Sequence, residues 1–78
     1  MTQSLAEFAA AQLRAEMARR ELSPTDLARR IEPAVSETWV RRRMRRQREI
    51  SMEDLERIAV ALDLPASHFI RDREQVAA

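Results

Sequence analysis

The chain has 78 residues, a formal net charge of +1, no cysteine and no glycine. That length holds one domain with a small core, and the absence of cysteine excludes a disulfide framework and thiolate chemistry. A lone His68 cannot make a clustered histidine metal site, no apolar run approaches the ~20 residues that span a bilayer, and Glu7 interrupts the N-terminus too early for a secretory leader, so a soluble, cytoplasmic protein is expected.

Helix one is expected from about Leu5 to Glu21. Ser4 and Glu7 have capping-box spacing, with the hydroxyl accepting from a free backbone N–H and the carboxylate reaching back. Leu5, Ala9, Leu13 and Met17 repeat every fourth residue and line one face; Arg14, Arg19 and Arg20 lie off it. Leu5 and Phe8 read as core, with a dimer contact as the alternative. Helix two has the clearest start: Ser23 as N-cap, Pro24 at the first helical position and Asp26 completing a second box. Its buried face is Leu27, Ala28 and Ile31, and Pro33 stops it near Glu32.

Helix three is expected to follow Ser36 as N-cap and to run to about Arg45, with Glu37 at its positive end. Helix four follows Ser51, with Glu53 and Asp54 in its first turn and an apolar stripe of Met52, Leu55, Ile58, Ala59 and Leu62. Met17, Met44 and Met52 read as core filler. Asp63-Leu64-Pro65 breaks helix four, and a short fifth helix through about Ala66 to Arg71 docks Phe69 and Ile70. The tail, 71–78, reads as frayed. No stretch alternates β-branched and polar residues, so an all-α fold is expected: a single domain over 1–78 with its core in about 13–70.

The charge pattern points to function. All fourteen cationic residues are arginine, and six of them (Arg41, Arg42, Arg43, Arg45, Arg46 and Arg48) fall within eight positions. No acid lies between Glu37 and Glu49, so a nearly neutral molecule carries a local positive field. At ~100° per residue, Val40 and Met44 share one edge of helix three, with Thr38, Arg42 and Arg45 roughly opposite. Glu37 and Arg41 fall on one shoulder, Trp39, Arg43 and Arg46 on the other. A capped helix pair whose second member has a narrow apolar edge and a wide arginine face suits insertion in a major groove. Arginine's planar fork grips guanine O6 and N7, or a phosphate, with two hydrogen bonds.

Three stretches in register carry a resemblance. Leu22-Ser23 with Leu27-Ala28 and Ile31, then Val35-Ser36 with Thr38 and Val40, then Arg48-Glu49-Ile50-Ser51-Met52 with Leu55, Ile58-Ala59 and Ala61-Leu62, are together similar to the Cro and phage-repressor (XRE-type) helix-turn-helix family. The resemblance covers roughly Leu13 to Phe69. It implies a lambda-repressor-like bundle of about five helices that binds palindromic DNA as a dimer and regulates transcription. The dimer contact is expected at the C-terminal end, where Phe69, Ile70 and Val76 have little chain left to cover them, or else at Leu5 and Phe8; either patch is small, so the dimer is expected to form on the DNA. It implies base contacts from Glu37, Thr38 and Arg42, to which Arg41 on the neighbouring shoulder is added. Phosphate contacts fall to Ser36, Arg45, Arg46, Gln47 and Arg48. Trp39 and Arg43 stay open between core and DNA.

The chain departs from that pattern at three points. Pro24 stands where the family often has a glutamine bracing the first base contact. Glu32-Pro33-Ala34 lengthens by about two residues a turn that is usually short and contains glycine. Arg46 replaces the glycine after helix three, so the chain either extends that helix or takes a left-handed cap. An arginine run also suits a plain solvated face or an arginine-rich RNA-binding segment, and the same fold serves antitoxins and anti-repressors that bind protein partners. Nothing here resembles a catalytic constellation: no glycine-rich phosphate loop and no base–nucleophile pair, with His68 read as a surface residue. No enzyme, cofactor, metal or small-molecule ligand is expected. The expected partner is a pseudo-palindromic DNA operator, and the location the cytoplasm, at the nucleoid.

Overall fold

The computed structural model describes residues 4–70. These form α1 (Leu5–Arg19), α2 (Pro24–Arg30), α3 (Glu37–Met44), α4 (Met52–Ala61) and a closing 3-10 turn (Ala66–Phe69), with no strand among them. Each α-helix begins at a serine. Ser4, Ser23, Ser36 and Ser51 accept from the N–H of Glu7, Asp26, Trp39 and Asp54 at 3.0–3.1 Å. Glu7, Asp26 and Asp54 reach back to complete capping boxes. Such a cap is worth about 1 kcal/mol, which matters for helices as short as α2 and α3. The expected fifth helix is a single 3-10 turn. Pro65 at its N-cap supplies no side-chain cap, and i→i+3 bonds close it, His68 N–H to Pro65 O at 3.0 Å and Ile70 N–H to Ser67 O at 3.1 Å. Arg71 and the tail expected to fray lie outside the described residues.

The core is built where the apolar stripes of α1 and α4 meet α2, α3 and the 3-10 turn. Leu13, Leu27, Ile31, Val40, Ile58, Leu62 and Phe69 are its largest fully buried side chains. Three residues expected in the core are not in it: Phe8 is half-buried outside the cluster, Leu5 is 48% exposed and Met52 57%. Leu5 and Met52 are each the first residue of their helix, and helical side chains lean toward the N-terminus, so these two lean off the end of their element. They border a shallow apolar groove shared with Ala6, Ile50 and Ile70. Phe69, expected to offer an uncovered dimer contact with Ile70 and Val76, is 1% exposed and belongs to the chain's own core. Ile70 is half-buried, and Val76 lies outside the described residues.

A buried carboxylate on α1 ties the bundle together. Glu16 is held by Arg19 at 2.8 Å, Arg20 at 3.3 Å and His68 Nε2 at 3.1 Å. Burial pushes its carboxyl up, but Arg19, His68 and Arg20 outweigh this and hold it below the ordinary value. His68 is therefore half-buried against Glu16 rather than a free surface residue. Arg20 also donates to the Leu62 carbonyl at 2.6 Å, and Gln12 to the His68 carbonyl at 3.1 Å. Two of the arginines off the apolar stripe thus close helix ends, Arg20 at α4 and Arg14 at α3, where it donates to the Met44 carbonyl at 2.5 Å.

Three helices end in the same way without glycine. Glu21, Arg46 and Asp63 have φ of 54°, 60° and 57°. After α1, Glu21 N–H donates to Ala18 O and Leu22 N–H to Met17 O; after α3, Arg46 donates to Arg43 O and Gln47 to Arg42 O; after α4, Asp63 donates to Val60 O and Leu64 to Ala59 O. These are Schellman caps, and of the two outcomes open at Arg46 the chain takes the left-handed one. A left-handed residue with a Cβ costs about 1 kcal/mol, less for aspartate. Glu21→Gly should therefore raise the thermal midpoint by roughly 4 °C, and Asp63→Gly by less. Melts followed by circular dichroism check this; a lower midpoint for Glu21→Gly would contradict the strain.

Candidate nucleic-acid interface

α2 and α3 pack on each other across residues 31–36. The Glu32–Pro33 peptide in that connection is cis. Val40 is buried and Met44 half-buried, which anchors one edge of α3 and turns Thr38, Arg42 and Arg45 outward, all exposed.

The arginine cluster divides into two sets. Arg41 pairs with Glu37 one turn earlier, Nε to Oε1 at 2.7 Å. Arg43 pairs with Asp54 at 3.0 Å across to α4, with side chains only 12% and 13% exposed. Arg46 pairs with Glu7 of α1 at 3.2 Å. Arg42, Arg45 and Arg48 are exposed and have no carboxylate partner among the described residues. Unpaired guanidiniums remain available to an external anion, whereas Arg43 is held by the fold.

Other expected site residues separate similarly. Ser36, Thr38, Arg42 and Arg48 share a polar cleft of about 240 Å³ with Trp39 and Arg43. Gln47 is exposed beyond the α3 cap. Glu37 is outside the cleft; bonds from Arg41 and the Thr25 hydroxyl of α2 hold its carboxyl below the ordinary value. It is a charged acceptor at the N-terminal end of α3, already committed to two neighbours.

Trp39, left open between core and DNA, packs half-buried against the core. The Arg43 guanidinium lies 3.8 Å from its ring centroid and that of Arg57, from α4, 5.5 Å. Arg57 was not singled out from the sequence. As one arginine on an otherwise acidic helix turn it gives no periodic signal, and its partners are distant in the chain.

A helix-turn-helix domain profile matches residues 9–69, most of the chain and all four helices' cores. The chain belongs to the helix-turn-helix domain family. In this helix-turn-helix protein α2 and α3 are the pair that gives the motif its name, and the match agrees with the resemblance to XRE-type domains. The family role it carries is DNA binding by a small regulator. No curated protein and no solved structure gave a match. Among the described residues no helix is long and apolar enough to cross a membrane, and no group of three or more His, Asp or Glu side chains could hold a metal ion.

Proposed function

We propose that this helix-turn-helix protein is a transcriptional regulator of the Cro or phage-repressor type that reads double-stranded DNA with α3 in the major groove. The division of the arginine cluster carries this reading. Carboxylates of the fold neutralise Arg41, Arg43 and Arg46, while Arg42 on the α3 helix anchored by Val40, Arg45 at its C-cap and Arg48 in the loop beyond are exposed with no carboxylate partner among the described residues. Thr38 and Arg42 read base edges, and Glu37 with Arg41 reach bases as a pair that holds each other's rotamers. Ser36, Arg45, Gln47 and Arg48 meet phosphates, joined by Arg46 when DNA displaces Glu7 from it. Arg43 acts from within the fold. One α3 covers half an operator, so two chains bind a pseudo-palindrome with their recognition helices about 34 Å apart. The dimer assembles on the DNA, at the nucleoid.

Two substitutions test the assignment. Arg42→Ala should cost roughly 1–3 kcal/mol on the cognate duplex and relax selectivity at one base pair. Arg48→Ala should weaken cognate and scrambled duplexes about equally. The comparison is made with a duplex selected by the wild-type protein from random-sequence DNA, with RNA of the same length as competitor. An indifferent Arg42 with a selective Arg48 would overturn the register, and RNA outcompeting duplex DNA would overturn the reading itself.

A further inference from the structure

Arg57 has more contacts than its place on the outer turn of α4 requires. Its Nη2 donates to the Pro33 carbonyl in the α2–α3 connection. Its guanidinium lies 5.5 Å from the Trp39 ring centroid on α3. Its Nε is buried with no hydrogen-bond partner. The first two contacts join three elements through one planar group: α4, the connection and the recognition helix. The third is unfavourable, because a desolvated donor without an acceptor destabilises the fold. A methionine of similar length would fill the same space with no such penalty. For stability alone, then, arginine is a poor choice at this position. What arginine does and methionine cannot is hold the Pro33 carbonyl and the Trp39 face at a fixed separation.

That separation matters because of the connection it spans. The chain departs from the usual short, glycine-containing turn by inserting Glu32-Pro33-Ala34, and the connection runs through residues 31–36. A longer connection leaves the start of α3 less determined by α2. Trp39 lies one turn into α3, and Ser36, Thr38, Trp39 and Arg42 share one cleft. A group that pins Trp39 and Pro33 to α4 therefore sets where Thr38 and Arg42 sit. A second arginine holds the same ring to α4: Arg43 lies 3.8 Å from the Trp39 centroid and bonds Asp54 of α4.

We infer that Arg57 is a positioning residue for DNA sequence selection: it clamps the lengthened α2–α3 connection and Trp39 to α4, and so sets the angle at which α3 enters the groove. It does so without touching DNA. The inference rests on the DNA-reading role proposed for α3. Base contacts tolerate displacements of only ~0.5 Å, whereas the Coulombic attraction of phosphates for Arg45 and Arg48 tolerates more.

The experiment compares wild type, Arg57→Met and Arg57→Lys at one salt concentration. Three quantities are read: affinity for a duplex selected by the wild-type protein from random-sequence DNA, affinity for its scrambled version, and the fluorescence of Trp39, the chain's one tryptophan. Thermal melts run alongside. Arg57→Met should lose on the order of tenfold affinity for the selected duplex and keep its scrambled-duplex affinity. It should melt at or above the wild-type temperature and shift Trp39 emission. Arg57→Lys, which keeps the charge but lacks the planar fork, should fail to restore selectivity. Equal loss on both duplexes would make Arg57 a phosphate contact and overturn the clamp, as would full selectivity in Arg57→Met or rescue by lysine. If the wild-type protein selects no duplex, the DNA-reading proposal fails instead. The clamp is then judged on hydrogen exchange: Arg57→Met should speed exchange at the amides of residues 34–36, and unchanged exchange would overturn it.

Discussion

Binding of this protein to duplex DNA should weaken steeply with salt. Each neutralised phosphate contributes about 0.9 to the slope of log affinity against log salt. The arginine count alone would suggest six contacts from helix three and its loop. Arg41, Arg43 and Arg46, however, are already paired with Glu37, Asp54 and Glu7. The free set is Arg42, Arg45 and Arg48, with Arg42 directed at bases. Exposed Arg46 joins it at little cost, since a solvent-exposed ion pair is worth at most about 1 kcal/mol. Three phosphates per chain, met by Arg45, Arg46 and Arg48, give a slope of roughly 2.7 and a loss of about 40-fold between 50 and 200 mM salt. Two chains on one operator would double the slope, so the titration also reports stoichiometry. Fluorescence anisotropy on a labelled duplex measures it. A flat response would remove DNA binding from consideration, and a slope near 6 for one bound chain would mean that the intramolecular pairs open on DNA.

The second large effect is on stability, at Asp54. This carboxylate completes the α4 capping box with Ser51 and accepts from Arg43 at 3.0 Å, on a pair only about one-eighth exposed. Asp54→Ala removes a cap, worth about 1 kcal/mol, and leaves a largely desolvated guanidinium beside Trp39 without its counter-charge. Complete burial would make the second loss about 3–5 kcal/mol; partial exposure and the remaining Trp39 contact reduce it, so the total is about 2–4 kcal/mol. The thermal midpoint should fall by roughly 10–20 °C. Asp54→Asn, which can still cap, should fall by less. Burial pushes the Asp54 carboxyl up, but the Ser51 N–H and Arg43 outweigh it and hold the group below its ordinary 3.8. A depressed carboxylate stabilises the fold fully above its unfolded value. That contribution therefore disappears as pH drops from about 4 through the lower folded value, and Asp54→Ala should lack this part of the acid dependence. Glu16, depressed in the same direction, keeps some acid sensitivity in the variant. Equal melting of Asp54→Ala and wild type at neutral pH would show that the pair holds nothing in place.

Local chemistry was legible in the chain. Serines at positions 4, 23, 36 and 51 set the four helix starts, because a cap needs only its own residue and the next three. Helix ends were legible only to within two or three residues. Helix one was expected to reach Glu21 and stops at Arg19, since Glu21 takes the left-handed cap that glycine usually takes. The apolar residues that follow, Leu22 and Leu64, were the available signal, as a Schellman cap tucks such a residue back on the helix. Periodicity found the core stripes but not their limits, because it does not know where a helix begins to overhang its neighbours. That is why Leu5 and Met52 are exposed.

The arginine cluster shows most clearly what the chain alone determined and what the tertiary structure decided. Composition and spacing placed an acid-free run of six arginines on and after the second helix of a capped pair, enough to identify a helix-turn-helix and its basic face. They could not say which of those charges were free. That depends on Glu7 and Asp54, which lie 39 and 11 positions away from their partners Arg46 and Arg43, just as Arg57 lies 18 and 24 positions from Trp39 and Pro33. Helical periodicity reaches only three or four residues. Pairings at longer range follow from how helices cross, so only the folded chain divides one run of arginines into those that hold the domain together and those left for an anionic partner.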